Sequence, residues 1–260
     1  MQPSGRPALE LERVCKSFGG LAVANAVSLT VPERGTVGLI GPNGAGKTTI
    51  FNLISGVYGL DSGRILVAGT DITAMPSRKR IEHGIARSFQ NIRLMPHLTV
   101  LENLILGQHV RAKGLIDLFR PFRLRPRHPW RQEAMEALAA AGLADHAHQA
   151  IQALPYGLRK RVDLVRALMA HPHLLLLDEP AAGLNDAESR DLLDALEPLA
   201  DEGVALLVVE HDMRFVRDLC SHVVVLNFGQ KIAEGPMAEI QHDPRVREAY
   251  LGGDGVGDAA

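Results

Sequence analysis

The stretch that most constrains this chain is Gly41-Pro42-Asn43-Gly44-Ala45-Gly46-Lys47-Thr48-Thr49, with glycine at its first and sixth positions and Lys-Thr directly after the second of these. Before it, Thr36 to Ile40 is a short apolar run suited to a buried strand. After it, Ile50 to Ile54 spaces apolar residues as a helix does. Strand, glycine loop and helix in that order form a phosphate cradle. Glycines let backbone N–H groups approach the oxygens at unusual φ, and the helix N-terminus adds a favourable dipole. Lys47 supplies a point charge for the β- and γ-phosphates, and the Thr48 hydroxyl is offered to Mg²⁺.

With 260 residues the chain has room for one large α/β domain or for a core with a smaller subdomain. Its 28 basic and 30 acidic side chains leave a net charge of −2, so there is no basic field for sequence-independent nucleic-acid binding, and no nucleic-acid partner is expected. The longest apolar runs, such as Val204 to Val209, stop far short of a membrane span, and the N-terminus lacks a basic region followed by an apolar one. The chain is expected to stay outside the bilayer. Cys15 and Cys220 lie far apart without metal-ligand spacing, which fits a reducing compartment; both are expected to be buried, unreactive thiols.

Leu9, Leu11, Val14 and Phe18, then the alternating run Val27 to Val31, predict antiparallel strands ahead of a parallel core, closed by the turn Pro32-Glu33-Arg34-Gly35. The helix after the phosphate loop is expected to end at Asp61-Ser62-Gly63, before a strand over Arg64 to Gly69. Between Met75 and Gly107, Gln90 stands out as a lone polar residue among apolar neighbours. In residues 111 to 131 arginines and Lys113 face only Asp117 and are interleaved with Phe119, Phe122 and Trp130, which reads as a solvated loop set against a partner. Gln132 to Ala141 predicts a helix capped at Gly142, and Leu158, Val162, Val165 and Met169 predict another after Leu154-Pro155-Tyr156-Gly157.

Leu174 to Leu177 followed by Asp178-Glu179-Pro180 has the pattern of a central parallel strand whose carboxyl end opens onto a ligand crevice, with both acids directed at the phosphate loop. Val204 to Val209 repeats it and ends in Glu210-His211, and Val223 to Phe228 with Lys231-Ile232 predicts a strand pair around Gly229. His146, His148, His171 and His173 lack a third ligand nearby and read as structural, whereas His211 is lifted above them by its place after a parallel strand. The glycine-rich tail after Tyr250 is expected to fray.

The order of these motifs resembles an ABC-type ATPase subunit over nearly the whole chain. Within that family, Arg87-Ser88-Phe89-Gln90-Asn91, Leu154-Pro155-Tyr156-Gly157, Ala181-Ala182-Gly183-Leu184-Asn185 and Ala249-Tyr250-Leu251-Gly252 are similar to the ATP-binding subunits of bacterial branched-chain amino-acid importers. The resemblance implies an α/β P-loop fold with a mixed sheet core, an antiparallel β subdomain and a helical subdomain at about residues 91–166. It implies one ABC ATPase domain over 8–252 with a flexible tail at 253–260. ATP and Mg²⁺ are the implied cofactors: Asp178 holds the metal with Thr48, Glu179 orients and polarises the attacking water, and His211 reaches the γ-phosphate. Gln90 matches the glutamine that touches Mg²⁺ or the water beside the groove for a membrane partner, though from the residues alone it is equally a loop amide. Phe18 matches the aromatic that stacks on adenine; an apolar core role is the alternative.

Two positions depart from the family. Its signature, usually Leu-Ser-Gly-Gly-Gln, is here Leu154-Pro155-Tyr156-Gly157-Leu158, and the loop that prefers aspartate ends in Asn185. The signature works in trans on the nucleotide of a second protomer, and Pro155 offers neither hydroxyl nor N–H. The N–H groups of Tyr156 and Gly157 and the helix dipole remain, so this half-site is expected to bind its partner's ATP more weakly than a standard one. The implied assembly is two ATPases, the second a related but different chain, acting on two membrane permeases at the cytoplasmic face of the inner membrane, and indirectly on a solute-binding protein. The nearest alternatives are a urea, amide or lipopolysaccharide transport system, then a soluble ABC protein outside transport.

Overall fold

The computed structural model describes residues 5–88, 92–111 and 128–251. Gln90 and most of the arginine-rich stretch therefore lie outside the described residues, as does the tail. The strands are β1 (Leu9–Phe18), β2 (Leu21–Val31), β3 (Thr36–Ile40), β4 (Ser62–Val67), β5 (Thr70–Asp71), β6 (Ile85–Arg87), β7 (Leu174–Asp178), β8 (Ala205–Val209), β9 (His222–Asn227) and β10 (Gln230–Gly235). They form a four-stranded antiparallel sheet in the order β2-β1-β4-β5 and a six-stranded sheet in the order β10-β9-β3-β8-β7-β6. In the larger sheet β6, β7, β8, β3 and β9 run parallel, and β10 returns antiparallel to β9, so the sheet is mixed.

The near-continuous apolar runs follow from burial on both faces. Along β7, Leu174 and Leu176 enter one core with the antiparallel sheet and α1 (Lys47–Ile54), while Leu175 and Leu177 enter a second with α6 (Asp186–Asp201) and α7 (Met213–Leu219). A third core, running from Leu94 to Met169 in sequence, joins α3 (Val100–Gly107), α4 (Pro129–Ala140) and α5 (Tyr156–Leu168). Thr99 starts α3 with a capping box to Glu102.

Helix α4 begins at Pro129, ahead of the expected Gln132 and within the stretch read as a loop, and β2 begins at Leu21, ahead of Val27; a larger difference is the end of α1. Helix α1 ends at Ile54, not near Asp61, and Ser62 and Gly63 belong to β4. Gly56, at φ +73°, takes the chain out of the helix, and α2 (Ser77–Glu82) sends the Arg80 guanidinium back to close it. That group donates to the carbonyls of Leu53 (2.6 Å) and Ile54 (2.8 Å), among the last four that α1 cannot pair internally.

Candidate active site

The carboxyl ends of β3, β7 and β8 lie side by side, and each delivers part of one site. Beyond β3 the chain enters the glycine loop. A Cβ on Gly41 would collide with the Leu226 carbonyl, and one on Gly46 (φ +103°) would lie 2.5 Å from the Val23 carbonyl oxygen, so backbone packs where a side chain would stand. Gly46 is the N-cap of α1 and brings no side-chain cap, and the first turn holds no acid. The uncapped N–H groups and positive end of the dipole are left for an anion. Lys47 is 6 % exposed, and its ammonium donates to the carbonyls of Gly41 (2.6 Å) and Pro42 (3.0 Å). Burial pushes it below the usual lysine range, against the pull of Glu179 and Asp178. Thr48 is exposed beside it, and Thr49 half-buried.

Asp178, the last residue of β7, pairs in register with Val209, the last of β8, so Asp178-Glu179 and Glu210-His211 leave the sheet together. Glu179 adopts φ +49°, a left-handed backbone unusual for a side chain of this size, and its N–H donates to the Val209 carbonyl at 2.8 Å. This turn brings Glu179 Oε1 to 2.7 Å from His211 Nε2. Asp178 Oδ2 meets Arg87 Nη2 at 2.6 Å, both side chains about a tenth exposed, and Arg87 also donates to Asn52 of α1 and to Ser55 just beyond it. Thus the acid after β7, the histidine after β8 and the phosphate loop converge.

Three supporting residues were not singled out by the sequence reading. Besides Arg87, the Glu210 carboxylate accepts from the N–H groups of Ala181 (2.6 Å) and His211 (2.9 Å), tying the loops after β7 and β8 together. Burial pushes its carboxyl above the usual range, against these donors. The third, Lys160 on α5, is buried and donates to the Glu179 carbonyl at 3.1 Å. Arg87 and Glu210 each end an apolar run, which is the one signal the sequence offers for them; Lys160 lies between Arg159 and Arg161 and is expected from that pattern on the helix surface, which its burial corrects.

Tyr156 and Gly157 occupy the first two positions of α5, whose N-cap Pro155 caps nothing with its side chain. A Cβ on Gly157 would collide with the Glu188 carboxylate of α6, and the Tyr156 ring lies against Gly183, so the signature segment packs on the loop after Glu179. Asn185 caps α6 through Ala187 and Glu188, which accounts for the residue found there. Phe18 is 42 % exposed and stands edge-on to Tyr58 with ring centroids 5.1 Å apart, which excludes the apolar core role. The thiols also need correction. Cys220 is buried and pushed up to about 12, but Cys15 is only half-buried, and hydrogen bonds from Ser62 and the Ala26 N–H hold it below the usual thiol range.

A mixed sheet with a glycine loop at the start of α1, two acids after β7 and a histidine after β8 defines a P-loop nucleotide-hydrolysing cassette. Residues 24–182 match the ABC transporter family, and the chain belongs to it as an ATPase. Residues 230–256 match a second family, described as branched-chain amino acid ATP-binding cassette transporter. The high-affinity branched-chain amino acid transport ATP-binding protein BraF of Pseudomonas aeruginosa is 39 % identical over 95 % of this chain and 98 % of its own. The lipopolysaccharide export system ATP-binding protein LptB of Haemophilus influenzae is 33 % identical over 94 % and 97 %. A crystal structure of an ATP-binding cassette of an ABC transporter in its ADP conformation superposes with a TM-score of 0.84 at 31 % identity, over 95 % of this chain and 99 % of that one.

Proposed function

We propose that this ATPase is the energy-coupling subunit of a bacterial importer for branched-chain amino acids, peripheral on the cytoplasmic face of the inner membrane. The observation that carries the catalytic half is the 2.7 Å contact of Glu179 with His211 above the glycine loop. The uncapped start of α1 and the buried Lys47 suit the phosphates of ATP, whose oxygens would take the place of the Gly41 and Pro42 carbonyls on the ammonium. Phe18, exposed at the carboxyl end of β1, suits the adenine. Thr48, Asp178 and Gln90 would hold Mg²⁺, which would offset the charge of the phosphates. Glu179 orients and polarises the attacking water, and His211 fixes that carboxylate and reaches the γ-phosphate. Tyr156 and Gly157 present their N–H groups to the nucleotide of a second, related ATPase.

Among the described residues no helix is long and apolar enough to cross a membrane, so transport requires other chains: two permeases, and a solute-binding protein beyond them. A groove of about 500 Å³ between the sheet and the third core, with Ile81, Ile85, Met95 and Leu106 in its walls, suits a permease helix. We assign residues 8–252 to one cassette with its helical part at about 91–166. The higher identity to the branched-chain relative, 39 % against 33 %, favours branched-chain amino acids over the lipopolysaccharide alternative. Glu179→Gln tests the catalytic assignment: turnover should fall by about 100-fold or more while ATP stays bound and traps a dimer. Undiminished turnover in that variant would overturn it.

A further inference from the structure

The left-handed backbone of Glu179 does not hold itself. A residue with a long side chain avoids φ near +49°, and it stays there only when its surroundings fix both flanking peptide groups. One anchor belongs to the sheet: the Glu179 N–H donates to Val209 of β8. The carbonyl on the other side has two donors. It accepts at 3.2 Å from the Ala182 N–H of its own turn and at 3.1 Å from the ammonium of Lys160, which comes from elsewhere in the fold and leaves α5 just over one turn after Tyr156. Lys160 as a residue is 7 % exposed, and its ammonium lies within electrostatic reach of Glu210, Asp163, Glu179 and Asp178. A cation buried so far is costly unless it is used, and four carboxylates around it set its place at the mouth of the site.

We infer that Lys160 is a positioning residue that ties the alignment of the Glu179 carboxylate to the seating of α5. The inference rests on the reading of Glu179 as the water-orienting acid and deepens it. Helix α5 begins with the signature segment, wedged against α6 where Gly157 meets Glu188. When that end of α5 is seated, Lys160 holds the Glu179 carbonyl, φ stays positive and Oε1 remains on His211. When α5 shifts, the carbonyl loses the ammonium while the Ala182 N–H stays on it, the hold on positive φ weakens and the carboxylate moves away from the histidine. The acid beside this chain's own phosphate loop thereby becomes conditional on the helix that faces the second protomer.

The test compares Lys160→Met, Lys160→Arg and Glu179→Gln in the full chain, reading kcat, KM, equilibrium ATP affinity and thermal melting. Lys160→Met should lower kcat by tenfold or more with KM, ATP affinity and melting unchanged, and Lys160→Arg, which still donates to a carbonyl, should recover much of the loss. A kcat for Lys160→Met within twofold of the parent overturns the inference. So does a loss of ATP affinity or melting temperature that accounts for the drop, or an arginine variant no better than methionine. Lys160→Gln, which keeps a shorter donor, should fall between the two; if methionine unfolds the chain, a glutamine variant with full kcat overturns the inference. A fully active Glu179→Gln defeats the assignment of the acid instead, independently of Lys160.

Discussion

At Gly46 the backbone sits at φ +103° and a Cβ would lie 2.5 Å from the Val23 carbonyl oxygen, so any side chain must distort the phosphate loop or the strand beside it. A left-handed residue with a Cβ already costs about 1–2 kcal/mol before the clash. Gly46→Ala should therefore weaken ATP binding by about tenfold or more in calorimetry. Lys47→Ala, which also removes the charge, should abolish it. The two thiols provide a contrast of environment. Cys15, with its thiolate favoured by hydrogen bonds, should be alkylated in the native chain faster than a free cysteine at pH 8, and Cys220 only after denaturation. One equivalent of label in the native state, located by mass spectrometry at Cys15, is the expected result. From the sequence both thiols are expected to be buried because they lie far apart without metal-ligand spacing, a criterion that takes no account of the apolar alternation of β1 around Cys15. Register shifts between Leu11 and Lys16, with Arg13 in left-handed backbone, break that alternation, and a bulge of this kind leaves no trace in hydrophobic pattern.

Among the elements, those legible in advance are the ones whose own sequence states their surroundings. The four leucines of β7, the valines of β9 and the strand-loop-helix around Gly46 each require burial or a tight turn, whatever the rest of the chain does. Helix α1 was misjudged because its end depends on a distant residue. Arg80 is 2 % exposed and donates to four carbonyls, those of Leu53, Ile54, Met75 and Thr73. Arg80→Met would strand these acceptors, and a broken buried network of this size costs about 3 kcal/mol. Melting should fall by roughly 6–12 °C, with the ATPase site intact below the transition. Glu210 escaped notice for the same reason as Arg80. Its two oxygens hold the N–H groups of Ala181 and His211, and only the pairing of β7 with β8 brings those loops within reach of one carboxylate.

Taken as a whole, the molecule places its chemistry and its free apolar surface on either side of Arg87. This residue grips Asp178 at the site and also lines the groove, so the cation that steadies the acid is one wall away from the surface proposed to receive a permease. Around that groove Met95 is 51 % exposed and Leu106 37 %, while the cores beside it are closed, which is the condition under which exposed apolar side chains await a partner. Neither side chain contributes much to folding. Met95→Glu combined with Leu106→Glu should therefore leave ATP affinity and melting close to those of the parent chain. What should change is association: buried charge without a partner costs several kcal/mol at an interface, enough to reduce binding by about 100-fold or more. Purified from native membranes in mild detergent, the parent chain should bring permeases with it and the doubly substituted chain should not. Equal recovery of permeases by both would show that the coupling surface lies elsewhere on the cassette.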